Sequence, residues 1–306
     1  MNVKEWSLIA FTILGQMSVG AFLVLGVVRT FATRKAGAEE ADRMSDIALY
    51  AIYPVLILGL IASIFHLGNP TNAYLSVANF GSSWLSREIL FGVIFAVLGA
   101  VYILLQWRKI GPVAVRALIG WLTAIAGVAL VYSMSKIYML ETQPAWNSFM
   151  TPLAFFTTTL LLGALAVGVA FVAAFAYLKR KEPSCEAVQC ELLRGSIRWI
   201  AVASIVLLGV ELLALPIYVA YLAAAGGAAV ESASMLIGEY NVLFILRLIF
   251  AFVGAGIFGV FLYQTALSPG QEKVMGNFTY AAFVLVLVAE VLGRFLFYAT
   301  QVQIIV

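Results

Sequence analysis

Eight ionisable residues stand within or at the ends of otherwise apolar stretches: His66, Arg87, Glu88, Lys136, Glu211, Arg247, Glu290 and Arg294. His66 is the single histidine of the chain, and Arg87 and Glu88 follow it across one short break. The chemistry such a pair supports is the oxidation of a quinol. A quinol gives up two protons with its two electrons, so its hydroxyls need bases within hydrogen-bond reach, and histidine is the side chain whose unperturbed pKa lies near working pH. A carboxylate half-buried in an apolar wall takes the second proton and hands it to water. The wall itself suits an isoprenoid tail, because a hydrophobic pocket with a few fixed polar groups is what a cofactor-sized ligand requires. On this reading His66 accepts the first hydrogen bond and acts as first base, Glu88 is the second proton acceptor, and Arg87 and Tyr138 line the mouth. No residue is assigned as a metal ligand.

Plainer roles compete for the same residues. Glu290 and Arg294 are four apart, the spacing of an ion pair along one helix face, and such a pair would do no more than neutralise two buried charges. Lys136, Arg87 and Glu88 lie near helix ends, from which they can reach water. His66 can equally cap a helix that Gly68 and Pro70 terminate.

The elements that must hold these groups are membrane helices. Of the 306 residues, 63% are AVILMFWYC and 11% are charged, whereas a soluble domain carries about 25% charged residues. A basic arm for nucleic acid, an acidic tail and disorder are all excluded by this balance. About 20 apolar residues span a bilayer, and eight such stretches occur near 6–28, 47–67, 87–106, 114–138, 152–178, 197–223, 240–264 and 277–301. Runs such as Leu153 to Leu178 are apolar on every face, which fits helices and not the alternating strands of a barrel. The expected fold is an all-α integral membrane protein, one eight-helix domain over 1–306, its halves near 1–180 and 190–306.

Lysine and arginine counts set the expected orientation. Thirteen of the 18 fall in the connections after the first, third, fifth and seventh spans, among them Arg29, Arg108, Lys109 and Lys179 to Lys181. By the positive-inside rule those loops are cytoplasmic, and an even number of spans places both termini outside. Counting about 1.5 Å per residue from the cytoplasmic ends puts the eight ionisable groups in the outer half of the bilayer. A charge at a helix centre costs about 2.5–3.5 kcal/mol on insertion scales, so such groups normally face a bundle interior and mark a site.

The scarce residues also exclude chemistry. One histidine cannot supply a bis-histidine haem, and Cys185 with Cys190 supplies half of the usual four-thiolate set of an iron–sulfur cluster. The chain is therefore expected to carry neither group.

The stretch Phe65-His66-Leu67-Gly68-Asn69-Pro70, followed by Ser86-Arg87-Glu88, resembles the membrane-anchor subunit of bacterial dimethyl sulfoxide reductase, the DmsC family. The N-terminal Glu5-Trp6-Ser7-Leu8 with Gly15-Gln16, the loop Pro144-Ala145-Trp146-Asn147-Ser148, and Glu290-Val291-Leu292-Gly293-Arg294 through Tyr298 are similar to that family as well. The resemblance implies a complex in the cytoplasmic membrane. Its partners would be a catalytic subunit with molybdopterin guanine dinucleotide and an electron-transfer subunit with [4Fe-4S] clusters. It implies menaquinol as the bound substrate, with His66 and Glu88 matching the family's quinol residues. A protein without haem or cluster must release electrons where quinol is oxidised, so the iron–sulfur partner is expected on the periplasmic face, against the loops at 68–86, 139–151 and 224–239. Three alternatives remain open: a polysulfide-reductase-type subunit in which Glu211 and Glu290 serve a proton path, a secondary transporter, and a purely structural anchor.

Overall fold

The computed structural model describes residues 3–64, 79–181 and 187–304. His66 and Cys185 lie outside the described residues. The described part is helical and contains eight helices long and apolar enough to cross a membrane. They are α1 (Val3–Ala36), α2 (Ala38–Ile64), α3 (Trp84–Arg108), α4 (Val113–Tyr138), α5 (Met150–Lys181), α6 (Ala187–Ala225), a composite of α8 (Asn241–Ala251), a π-helical turn (Phe252–Ile257) and α9 (Phe258–Leu267), and α10 (Glu272–Ala299). An eleven-residue helix, α7 (Gly227–Ile237), lies between α6 and α8. The first and last described residues lie at one end of the bundle, where the Trp6 and Phe295 rings are 6.0 Å apart and the backbone N–H of Ile304 donates to Thr142 O at 2.8 Å.

Two spans start earlier than hydropathy alone suggests. α2 begins at Ala38 because Glu39 and Glu40 sit in its first turn, where carboxylates complement the helix dipole. α6 begins at Ala187, ten residues before the apolar run that announces it.

α1 and α5 form the centre. Val19, Phe155, Leu161, Leu162 and Leu165 are fully buried, while large apolar side chains on the outer faces, such as Val97 and Leu104 on α3 or Leu213 on α6, are exposed. That inversion is what a hydrocarbon solvent permits. The two central helices cross at Gly20 and Gly163. A Cβ built on Gly20 would lie 1.7 Å from Thr159 O, and one on Gly163 would lie 2.1 Å from Gly20 C. The crossing thus runs backbone against backbone, the close approach that small residues allow where hydrophobic drive between helices is absent.

The end opposite the termini is closed by a charge network. Arg29 Nε donates to Asp42 Oδ1 at 3.0 Å, and Lys109 Nζ reaches Asp42 Oδ2 at 2.9 Å and Asp46 Oδ2 at 2.7 Å. Arg116 NH1 donates to Gln106 Oε1 at 2.8 Å, and Gln106 Nε2 donates to Asp46 Oδ1 at 2.9 Å. α1, α2, α3 and α4 are tied together by these bonds at the basic end of the bundle. Asp42 is shared by three cations. Replacing it by Asn takes this carboxylate from the largely buried Arg29 and Arg116, while the half-exposed Lys109 keeps Asp46, a loss of about 3–5 kcal/mol for a buried pair broken on one side. D42N is expected to unfold in detergent well below the parent's midpoint, whereas removal of the exposed Lys35–Glu191 bridge (2.6 Å) should change that midpoint little.

Candidate functional site

The first turns of α3 bring Glu88 into the bundle at the end that carries the termini. Ser83 caps the helix by accepting from Ser86 N at 3.3 Å. One residue of helix rotates the side chain by about 100°, so Arg87 and Glu88 diverge. Glu88 is 8% exposed, and among the described residues its carboxylate has no hydrogen-bond or ion-pair partner. Arg87 turns to the preceding loop, where Nε donates to Phe80 O at 2.9 Å and NH2 to Gly81 O at 2.7 Å, with its guanidinium 4.1 Å above the Trp84 ring. Arg87 therefore shapes the loop and does not join Glu88. Lys136 also sits by Trp84, with Nζ 5.8 Å from the ring.

Tyr138, at the end of α4, is buried and its hydroxyl lies 2.7 Å from that of Tyr298 on α10. Both hydroxyls are close enough to Glu88 to interact with it electrostatically, and Thr12 of α1 stands beside Tyr298. Aromatic rings frame the pair. Trp146 stacks on Phe297 with centroids 5.0 Å apart, and Tyr138 meets Trp146 edge-on at 5.2 Å. Trp146 Nε1 donates to Phe297 O at 2.8 Å, while Tyr218 donates to Ala145 O at 3.0 Å and Tyr221 to Pro144 O at 3.2 Å. The loop between α4 and α5 is thereby pinned over the site by α6 and α10. A buried carboxylate, the group here that can take up a proton, thus lies at the same bundle end as two phenols and a cluster of apolar rings.

The ion pair expected between Glu290 and Arg294 is not a direct contact. Both are buried, but Glu290 Oε2 accepts from Thr158 Oγ1 of α5 at 2.6 Å, and Arg294 NH2 donates to Gln16 Oε1 of α1 at 2.9 Å. Arg294 also lies 3.8 Å above the Phe155 ring. The guanidinium is drawn across the bundle to partners on other helices, and the ion pair that does form in this region joins Arg247 of α8 to Glu211 of α6.

Arg247 passes directly over Gly293. A Cβ there would lie 2.6 Å from Arg247 Nε and 2.9 Å from Cζ. Gly293→Ala is expected to push the guanidinium off Glu211 and cost about 1–3 kcal/mol as an overpacked site. Gly209→Ala on α6, with nothing within 4 Å of the new methyl, should be neutral or stabilise by up to about 1 kcal/mol. Thermal unfolding of the two variants in the same detergent checks the contrast.

Several residues at this end escape a local reading of the sequence. Tyr298 continues the series Glu290, Arg294 at intervals of four on one face of α10, which is a usable signal. Gln16 stands in the Gly15-Gln16 pair that carries part of the family resemblance, whereas Thr158 is an ordinary polar residue within an apolar run.

The dimethyl sulfoxide reductase anchor subunit (DmsC) family model matches residues 1–300. The protein is 29% identical over 302 residues to the anaerobic dimethyl sulfoxide reductase subunit YnfH of Escherichia coli strain K12, covering 98% of this sequence and 96% of that one. It is 28% identical over 306 residues to the C subunit of anaerobic dimethyl sulfoxide reductase from the same organism, with the same two coverages. Among solved structures, the bd oxidase of Geobacillus thermodenitrificans has a similar fold, with a TM-score of 0.62 at 11% identity over 97% of this protein and 85% of that one. On the family match, which runs through nearly the whole length, the protein belongs to the DMSO reductase anchor subunit (DmsC) family.

Proposed function

We propose that this anchor subunit binds menaquinol at the bundle end that carries both termini, oxidises it there, and passes the electrons to an iron–sulfur subunit docked on the same face. That subunit would deliver them to a molybdopterin guanine dinucleotide catalytic subunit reducing dimethyl sulfoxide or a related acceptor in anaerobic respiration. The orientation follows the lysine and arginine count: termini and quinol site on the periplasmic side of the cytoplasmic membrane, basic loops within.

The observation that carries the reading is Glu88, a buried carboxylate with no partner among the described residues, within electrostatic reach of the paired Tyr138 and Tyr298 hydroxyls. A buried carboxylate that no described residue pairs is available as a proton acceptor for a bound ligand. His66, outside the described residues, is retained as the first base. Arg87 is assigned to loop shape, and Tyr138 to the wall of the site. The names of the relatives, subunits of anaerobic dimethyl sulfoxide reductases, supply the class of partner and acceptor.

Two measurements test this. A reporter active only outside the cytoplasm, fused to the C-terminus, should be active, while a cytoplasm-only reporter at the same position should not. Purification through a tag on this subunit should recover molybdenum and iron, both held by the co-purifying subunits. A reversed reporter pattern, or metal that stays with this subunit after its partners are removed, would contradict the reading.

A further inference from the structure

Beneath the terminal end lies a cavity of about 120 Å³ between α5, α6, α8 and α10. Its lining runs from Thr300 and Thr151 at the helix ends down to Glu290, ten residues or about 15 Å deeper along α10. Four charged side chains face this space: Glu211, Arg247, Glu290 and Arg294. They sum to zero, so the cavity attracts neither an anion nor a cation outright. It does hold unmet hydrogen-bonding capacity of both kinds. Among the described residues Glu211 Oε2 lacks a donor, while Arg247 Nε and Arg294 Nε lack acceptors, and the Arg294 residue is 5% exposed. On the far side of Arg294, Gln16 Nε2 is buried and unpaired too.

Buried polar groups are satisfied by protein or by water. Most of the cavity wall is apolar, but a space of this size has room for several water molecules, each needing two to four partners, and the orphan atoms clustered on one part of the wall supply them. The charges cannot pair more fully among themselves, because Glu290 is held by Thr158, Arg294 by Gln16, and Arg247 by Glu211. The α8–α9 span carries a π-turn at Phe252–Ile257, starting five residues after Arg247. Such turns recur at functional sites, and this one shifts the register between Arg247 and the packing face that follows.

We propose that this cavity is a water-filled proton outlet, with Glu290 as its inner acceptor and Glu211 as a second station on the way to the mouth at Thr300. The proposal rests on the quinol reading above. Oxidation of one quinol to quinone sends two electrons to the iron–sulfur subunit and releases two protons to His66 and Glu88. From Glu88 a proton crosses the Tyr138–Tyr298 hydroxyl pair to water held near Arg294, then protonates Glu290, which releases a proton to the cavity water. Arg294 and Arg247 keep their own protons and orient that water. Tyr298 stands four residues after Arg294 on α10, and Tyr138 packs on the Phe155 ring that Arg294 also covers, so the phenol pair and the cavity flank the same guanidinium.

The test uses the whole complex, with a soluble quinol analogue as donor and, separately, an artificial dye that reduces the partner subunits directly. Dye-driven turnover verifies assembly. Glu290→Gln keeps an acceptor for Thr158 and removes the transferable proton. It is expected to slow quinol-driven turnover on the order of tenfold, to raise the solvent deuterium isotope effect, and to be partly rescued by added acetate, a small weak acid. Glu290→Asp should recover most of the rate. If Glu290→Gln turns over at the parent rate while Glu88→Gln does not, the outlet is wrong and the quinol site stands. If both turn over at the parent rate, the quinol site itself fails and the outlet with it. A slow Glu290→Gln without acetate rescue or isotope change marks a structural role and overturns the proposal. So does a photoreactive quinone that labels cavity residues such as Leu215 or Leu153, since that would make the space a second quinol site.

Discussion

Glu88→Gln is expected to lower quinol-driven electron transfer through the complex by about 10²–10⁴-fold, the range over which a positioned base contributes to a proton-coupled step. The substitution keeps size and hydrogen-bonding capacity but cannot take up the quinol proton. Because the carboxylate has no structural partner among the described residues and is buried, its replacement by a neutral amide breaks no ion pair there, and assembly should be preserved. Dye-driven activity of the partner subunits and the yield of intact complex measure that directly. The comparison with Arg87 sharpens the test. Arg87 bonds the carbonyls of Phe80 and Gly81, so Arg87→Gln should loosen the loop before α3 and weaken quinol binding more than it slows the chemical step. A Glu88→Gln complex that oxidises quinol at the parent rate would remove the carboxylate from the mechanism.

Gly163→Leu should abolish stable insertion of the folded bundle. At this crossing even a methyl group would lie 2.4 Å from Ala21 N and 2.5 Å from Gly20 Cα. The obstacle is backbone, which cannot rotate away as a side chain can. Overpacking ordinarily costs about 1–3 kcal/mol, and separating two central helices adds the loss of their mutual packing. α1 also carries Thr12 and Gln16, which meet Tyr298 and Arg294, so the separation reaches the quinol end. Gly163→Ala should fall between the parent and Gly163→Leu. The quantity to measure is folded protein recovered from membranes, by protease resistance or size-exclusion profile, with Gly209→Ala as the glycine substitution that meets nothing. A parent-like yield for Gly163→Leu would show that α1 and α5 do not cross here.

Both predictions bear on how much of this molecule the sequence reveals. The eight spans are plain because a membrane helix is announced by length and apolarity, which are local properties. The π-turn at Phe252–Ile257 is invisible, because Phe-Val-Gly-Ala-Gly-Ile is apolar throughout and offers no periodic face to register the extra residue. α7 is hidden by the Gly226-Gly227 pair at its start and its short length. The charges follow the same rule. Arg29, Lys109 and Arg116 indicate a side by their number, but their common partner Asp42 comes from another helix and is not foretold by spacing. Glu290 and Arg294 have the spacing of a local pair, and each bonds a residue 132 and 278 positions away, respectively. Glu88 and Tyr138 are placed at the same bundle end by helix counting alone. The phenol pair with Tyr298 and the stacked Trp146 and Phe297 rings needed the fold, because nothing in a single sequence tells which ends of α4 and α10 touch.

The most direct measurement is a density map of the assembled complex with a bound quinol analogue. The headgroup is expected against Glu88 and Tyr138, with the nearest iron–sulfur cluster of the partner on that same end of the bundle. A headgroup lodged instead at the opposite end, beside Arg108 and Lys109, or a partner docked on the basic loops, would contradict the account.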